Sequence, residues 1–281
     1  MVVFNLFIYT PASSISGGIL YILQLAKLLN SAGIKAGVWF NLAHPQIPDK
    51  YLPYCIFAEQ LPKEWWKSIK VVPECDYKRY YQQSVTIPLF QGFAMGTELN
   101  YAISPCMTTT PYMRGLIEAR GKDVYQIPLF IDKQDFEKRN IRNKSGIRQP
   151  TLTPAKTGFE VHKAEFIPKL SRELFLDMLA VTEHFVYPVN KEGFGLPVME
   201  AMALGCIPYV GDLKGNSGFI REGVNGYWIT NNQDFEDKYA THKKLGQQAR
   251  DYVFEYHTEE KCKDEIAYQF NRVLTRLRPY M

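Results

Sequence analysis

Residues 192–210 read EGFGLPVMEAMALGCIPYV, and the fold turns on how this stretch is parsed. A strand ends at Val189, and a loop with Gly193 and Gly195 follows. Pro197 stands where proline is best tolerated, at a helix start, and VMEAMAL runs helical until Gly205 stops it. CIPYV is then a short buried strand. The peptide N–H groups around Gly195, Leu196 and the neighbours of Pro197 therefore point out of a helix N-terminus at the carboxyl end of a parallel strand, where α/β sheets bind anions. A pyrophosphate fits there. Glu192 lies in the loop and Glu200 about one turn inside the helix. Two carboxylates invite an acid/base hydrolysis reading. Their spacing favours a different use, in which each accepts hydrogen bonds from vicinal hydroxyls of one of two sugar rings flanking a diphosphate. An ordinary strand–loop–helix with two solvent-facing glutamates uses the same residues, and spacing alone leaves both readings open.

Outward from this stretch the pattern alternates. VVFNLFIY (2–9) is an apolar run rich in β-formers, followed by a Ser/Gly loop and by ILYILQLAKLLNSAG with helical spacing, ending at Gly33. KAGVWFNLA, YCIFAEQ, TIPLFQGF and NYAISP read as the second to fifth strands. MTTTPYMRGLIEAR reads as a helix with a Thr cap and a first-turn proline, and VYQIPLFID closes the unit near residue 132. A second unit follows, with EVHKAEFI as strand, SRELFLDMLAVT as helix and HFVYPV as strand. Strands alternating with helices mean doubly wound α/β architecture. Between Lys138 and Arg148 stand five basic residues and no acid; a phosphate or nucleic-acid contact is one reading of them, and a solvated linker is the favoured one. The charged segment after Asn232 is helical with an apolar stripe.

Composition sets the outer limits. A chain of 281 residues with 46% apolar content suffices for two ordinary domains and excludes disorder and small disulfide scaffolds. Residues 1–130 hold 11 Lys/Arg and 8 Asp/Glu, and residues 131–281 hold 22 and 21, so neither half carries the basic excess that nucleic-acid binding would demand. Cys55, Cys75, Cys106, Cys206 and Cys262 are widely spaced with no C-x-x-C pair, which argues against a zinc site or disulfide framework and for a reducing cytoplasm. The opening segment lacks a basic n-region and a cleavage site, and no run approaches the ~18 apolar residues of a membrane span.

The stretch E-G-F-G-L-P-x-x-E-A-M-A-x-G-x-x-P resembles the E-x7-E signature of retaining nucleotide-sugar glycosyltransferases of family 4, also called group 1, which have the GT-B fold. SGGILYILQLAKLL, IPLFQGF, AISPCMTTTPYMRG, VYQIPLFID, SRELFLDMLAVTEHFVYP and GVNGYWI extend the resemblance, strongly over 165–230 and weakly in the first half. It implies two Rossmann-like doubly wound domains facing a cleft, the second one reduced. The expected organisation is an acceptor-side domain over 1–135, a linker or reduced segment over 136–158, a nucleotide-sugar-binding domain over 159–260, and a C-terminal helix over 261–281 returning to the first domain.

The same resemblance assigns roles. Glu192 would hold donor-sugar hydroxyls near the reacting centre, the backbone of Gly193, Phe194, Gly195 and Leu196 would cradle sugar and diphosphate, and Glu200 would grip the ribose. Gly17 and Gly18 would let the backbone approach the phosphates and the acceptor. Many relatives carry a His after the fourth strand; here Gln91 takes that place. The implied reaction is transfer from a UDP- or GDP-sugar to an acceptor hydroxyl with retention, and the absence of any D-x-D pair fits metal independence. No cofactor is expected beyond the nucleotide-sugar co-substrate.

Two departures bear on donor binding. No G-R-x-x-x-x-K-G segment opens the second domain, so its phosphate-neutralising Arg and Lys are missing, and Lys156, Arg142, Lys144 and Arg148 are the candidate substitutes. After the signature, Gly215-Asn216-Ser217-Gly218 replaces the family's Pro-Glu pair. A degenerate homologue that binds a nucleotide-sugar or partner without transferring anything is the rival reading; an oxidoreductase is disfavoured because no G-x-G-x-x-G follows a strand. Trp65-Trp66 with Lys63, Lys67 and Lys70, then Lys78, Arg79, Tyr80 and Tyr81, form an aromatic and basic stretch. It suits peripheral membrane contact with lipid-linked acceptors, a saccharide, a nucleic acid carrying a modified base, or a half-buried helix with a solvated rim. The location expected is cytoplasmic, or host cytoplasm if the compact chain is viral.

Overall fold

A computed structural model describes residues 6–10, 17–40, 46–57, 60–61, 68–73, 85–91, 105–139, 141, 144–150, 158–189, 195–211, 218–242 and 244–280. The chain divides into two compact units, Met1–Phe130 with Cys262–Met281, and Ile131–Lys261.

The first unit holds a seven-stranded parallel sheet made of β1 (Leu6–Thr10), β2 (Ala36–Phe40), β3 (Cys55–Phe57), β4 (Ile69–Pro73), β5 (Thr86–Phe90), β6 (Cys106–Thr108) and β7 (Val124–Gln126), ordered β3-β2-β1-β4-β5-β6-β7. β1, β2, β4 and β5 are buried at every position, which is why they read as unbroken apolar runs. Helix α1 (Gly17–Ser31) follows β1 and is buried from Ile19 through Ala26. Tyr21 on α1 donates to the Pro128 carbonyl at 2.9 Å. Helix α2 (Pro111–Glu118) begins as its sequence predicts, with Pro111 in its first turn and Thr110 Oγ1 accepting from Met113 N at 3.2 Å. The order of strands reverses between β1 and β4. In open α/β sheets such a reversal is where the carboxyl ends of the strands leave room for ligands.

Two expectations for this unit need correction. β4, the segment IKVVP, was not among the expected strands, because Lys70 reads with its basic neighbours as surface. Lys70 is instead 1% exposed in the middle of the sheet, registered against Phe7 and Thr86, and burial pulls its pKa down to about 8. The strand expected in NYAISP runs later, over Cys106–Thr108, with residues 101–104 outside the described set.

The second unit runs through α3 (Gln134–Glu137), β8 (Ser145–Pro150), β9 (Glu165–Ile167), α4 (Arg172–Val181), β10 (Thr182–Tyr187), α5 (Leu196–Ala203), β11 (Ile207–Val210), β12 (Tyr227–Trp228), α6 (Asn232–Ala240) and α7 (Gly246–Tyr256). Its parallel sheet is ordered β12-β11-β10-β8-β9, which puts the switch point between β8 and β10. Its core gathers Val186, Ile207, Tyr209, Tyr227, Ile229 and Phe235.

The stretch expected to be a solvated linker contains β8, an interior strand of this sheet. Its polar residues are used by the fold. Gln149 is fully buried with Oε1 accepting from Val161 N at 3.0 Å, and Arg148 donates to Thr182 Oγ1 at 3.1 Å. The strand expected in EVHKAEFI is confined to Glu165–Ile167. The last helix, α8 (Glu259–Leu277), buries Cys262, Ile266, Phe270, Val273 and Leu277 along one stripe, and from Cys262 onward it belongs to the first unit. There Arg272 lies over the Tyr125 ring and Arg276 pairs with Asp123. Among the described residues no helix is long and apolar enough to cross a membrane.

Candidate nucleotide site

In the second unit the site begins where β10 ends. Residues 190–194 lie outside the described set, and with them Glu192, Gly193 and Phe194. The chain is next described at Gly195, whose φ of 58° lies in the left-handed region that favours glycine, and α5 starts at once with Leu196. Val198 N and Met199 N bond the Gly195 carbonyl at 2.9 and 3.2 Å. Among the described residues no side-chain cap bond is made at the start of this helix, whose positive end lies at the carboxyl edge of the sheet. Apart from Pro197 every side chain of α5 is buried, which sets the helix's direction. Gly211 closes the same edge: its N–H donates to Tyr187 O at 2.9 Å, and a Cβ there would meet Val189 O at 2.8 Å. Sequence reasoning did not single out Gly211.

Glu200 does not face solvent. It is 3% exposed, and its Oε1 accepts from Arg172 Nη1, the first residue of α4. Arg172 Nη2 also lies 3.6 Å from Asp135 Oδ2 on α3. The expectation of a solvent-facing glutamate is thereby corrected for Glu200, whose buried carboxylate has its counter-charge in Arg172. Arg172 was missed from sequence. Its only local signal is a cation in the first turn of a helix, the end that favours acids.

The candidate substitutes for the missing phosphate-binding cations fare differently. Lys144 Nζ donates to the carbonyls of Leu179 at 3.1 Å and Thr182 at 2.6 Å and touches Cys206 Sγ at 3.5 Å, so it satisfies the carbonyl end of α4. Burial lowers its pKa and pushes the Cys206 thiol up to about 11. Arg148 is engaged by Thr182 Oγ1, the Ser145 carbonyl and Glu165. Both therefore serve the amino end of the sheet, the opposite end from the candidate site. Arg142, Lys156 and residues 215–217 lie outside the described set.

In the first unit Gly17 and Gly18 open α1 just beyond β1, and Gln91 follows β5. The structure brings Gln91 and Gly18 together: Gln91 Nε2 donates to Gly18 O at 3.4 Å, and a Cβ on Gly18 would lie 3.2 Å from Gln91 Oε1. Gln91 is 9% exposed. Of the aromatic and basic stretch, Trp65, Trp66, Lys63, Lys67, Lys78, Arg79, Tyr80 and Tyr81 lie outside the described set, and Lys70 is withdrawn from it by burial. One described group is of metal-ligand type: Glu183, His184 and His242, with candidate ligand atoms within 4.8 Å of one another. The two imidazoles pack edge to face, centroids 4.6 Å apart, near the amino end of β10.

Residues 159–253 match the family model for group 1 glycosyl transferases. Over 114 residues the chain is 30% identical to the GtfA subunit of a UDP-N-acetylglucosamine–peptide N-acetylglucosaminyltransferase from Streptococcus parasanguinis. That match covers 40% of this chain and 21% of the relative, so the chain spans about a fifth of that protein's length. Among solved structures, Anabaena HepE in complex with UDP-glucose superposes with a TM-score of 0.71 at 10% identity, covering 95% of this chain and 99% of that one. Sucrose-phosphate synthase from Thermosynechococcus elongatus superposes at 0.67 and 13% identity, covering 98% and 99%. The chain has the GT-B fold of these structures, and its residues 159–253 match the group 1 glycosyl transferase family model.

Proposed function

We propose that the protein transfers a sugar from a nucleoside-diphosphate donor, UDP- or GDP-linked, to an acceptor hydroxyl with retention and without a metal. The observation that carries this is the buried Glu200, one turn inside a helix whose N-terminus lies at the carboxyl edge of a parallel sheet, within the segment that matches group 1 glycosyl transferases. The relatives add support, since GtfA is named for a UDP-N-acetylglucosamine donor and HepE is solved with UDP-glucose.

In this reading Glu200 accepts hydrogen bonds from the ribose diol, and the backbone from Gly193 to Leu196 receives diphosphate and sugar. Glu192 holds sugar hydroxyls beside the anomeric carbon. As the C–O bond to phosphate breaks, positive charge grows on the sugar ring and negative charge on the departing diphosphate. The amino end of α5 stabilises that growing charge, an effect typically worth about 3 kcal/mol when such donors are preorganised. The acceptor attacks from the face the diphosphate leaves, so the diphosphate can take the acceptor's proton. Gln91, held against Gly18, is assigned to the reacting side in the first unit, and the acceptor class remains a glycan, a lipid-linked or other small acceptor, or a modified nucleobase.

A second reading has one observation in its favour. Lys144 and Arg148 are engaged in the fold, which leaves the diphosphate without those cations, as in a homologue that binds a nucleotide-sugar without turnover. A thermal-shift screen against nucleotide-sugars, followed by product analysis with Glu192→Gln, separates the two. The transferase reading expects a donor hit, a transferred or hydrolysed sugar, and a Glu192→Gln variant that loses turnover far more than binding. A donor that binds and is never consumed establishes the second reading, and silence across the panel overturns both.

A further inference from the structure

We propose that Arg172 is a positioning residue for nucleotide binding, holding the Glu200 carboxylate so that its remaining lone pairs receive the ribose diol, with Asp135 as the counter-anchor of the guanidinium. This rests on the role given to Glu200 above.

The geometry argues for it in three steps. Arg172 opens α4 beside its cap Ser171, at the helix end where a cation is disfavoured, so something outside the helix must hold it there. Two carboxylates do: Nη1 reaches Glu200 Oε1, and Nη2 faces Asp135 Oδ2 at 3.6 Å. A planar guanidinium hydrogen-bonded at Nη1 and paired by charge at Nη2 sets the direction as well as the charge of what it touches, which a lysine ammonium would not do.

The exposures complete the argument. The Glu200 side chain is 4% exposed and that of Arg172 23%, so the pair is dry on the carboxylate side and open on the guanidinium side. Among the described residues Oε2 of Glu200 has no hydrogen-bond partner. An ionised carboxylate offers about four lone-pair sites, and the arginine occupies one. The remaining sites suit the two O–H donors of a vicinal diol.

The test is calorimetry with UDP and 2′-deoxy-UDP, and with GDP and 2′-deoxy-GDP, on the full chain and on Arg172→Gln and Arg172→Lys. The wild type is expected to prefer the ribonucleotide at least about tenfold, the scale of one hydrogen bond to a charged group. Arg172→Gln should weaken ribonucleotide binding about tenfold while changing deoxynucleotide binding little, so that the preference collapses towards one. Arg172→Lys should keep the charge, lose the fork and retain only part of the preference. A merely structural arginine would weaken both nucleotides alike, and that outcome, or an unchanged preference in Arg172→Gln, overturns the proposal. If Arg172→Gln does not fold, Arg172→Lys decides, because an unchanged preference there overturns it equally. A wild type that binds none of the four nucleotides sinks the Glu200 reading and this inference with it, whereas intact discrimination in the variants sinks this inference alone.

Discussion

At the amino end of β10, Lys144 is spent on the Leu179 and Thr182 carbonyls and Arg148 on Thr182 Oγ1, while beyond its carboxyl end Glu200 keeps one oxygen on Arg172 and the other without a partner among the described residues. Both ends carry charge, and both belong to one sheet. At the amino end the charges complete backbone groups that a helix terminus and a strand start leave unsatisfied. At the carboxyl end a helix begins with no side-chain cap bond among the described residues, and Glu200 one turn inside it has one oxygen engaged. In a parallel sheet, then, the type and sign of a residue do not say which groups it engages; the end of the strand it reaches does.

Four experiments press on this contrast, in order of expected effect. The largest concerns His184 near the amino end of β10, which is 3% exposed and packed among Tyr209, Tyr239 and His242. Burial first, and the neighbouring His242 second, push its pKa down to about 4 from the ordinary 6.5. The unfolded chain then takes up this proton more readily than the folded one, so the contribution is full above pH 6.5 and is lost as pH falls towards 4. The loss approaches about 3 kcal/mol. Urea midpoints across that range should fall steeply in the wild type and less so in His184→Phe; parallel curves would refute the assignment.

Next, Glu200→Ala should weaken nucleoside-diphosphate binding about 100-fold, the upper range for hydrogen bonds to a charged group. Calorimetry showing unchanged affinity would remove Glu200 from the site. Lys144→Met sharpens the comparison from the other side. It removes the charged donor from the Leu179 and Thr182 carbonyls and leaves them the weaker Cys206 thiol, so stability should fall by about 2 kcal/mol with nucleotide affinity unmoved. A drop in affinity at constant stability would make Lys144 a ligand residue after all. The smallest effect is expected for Gly18→Ala, whose Cβ lies 3.2 Å from the flexible tip of Gln91. Stability should change by less than about 1 kcal/mol, since overpacking against a movable atom is mild. Turnover should drop several-fold if Gln91 acts where it is placed, and an unaffected rate would clear Gln91 of that role.

Much of this fold could be read in the residues. VVFNLFIY, KAGVWF and TIPLF announce buried strands because both their faces are covered, and Thr110-Pro111 and Ser171 announce helix starts through caps that need only local geometry. IKVVP and SGIRQP did not announce themselves. Each carries polar residues inside a strand, Lys70 in one and Arg148 and Gln149 in the other, whose partners come from elsewhere in the chain. The candidate site divides in the same way. Gly195, Leu196 and Glu200 were legible from the turn, the proline and the spacing, while Arg172 and Gly211 were not. Arg172 reaches Glu200 from 28 residues away, and the need for glycine at 211 arises only because the Val189 carbonyl lies against it.

The sequence by itself determined the helix and strand within 195–210 and the alternation that makes both sheets parallel, because apolar periodicity, caps and turn residues act over a few neighbours. Only the tertiary structure decided that Glu200 is buried on an arginine and that Lys144 and Arg148 serve the backbone. Burial and ion pairing depend on which distant segments the sheet order brings together, and no local rule contains that information.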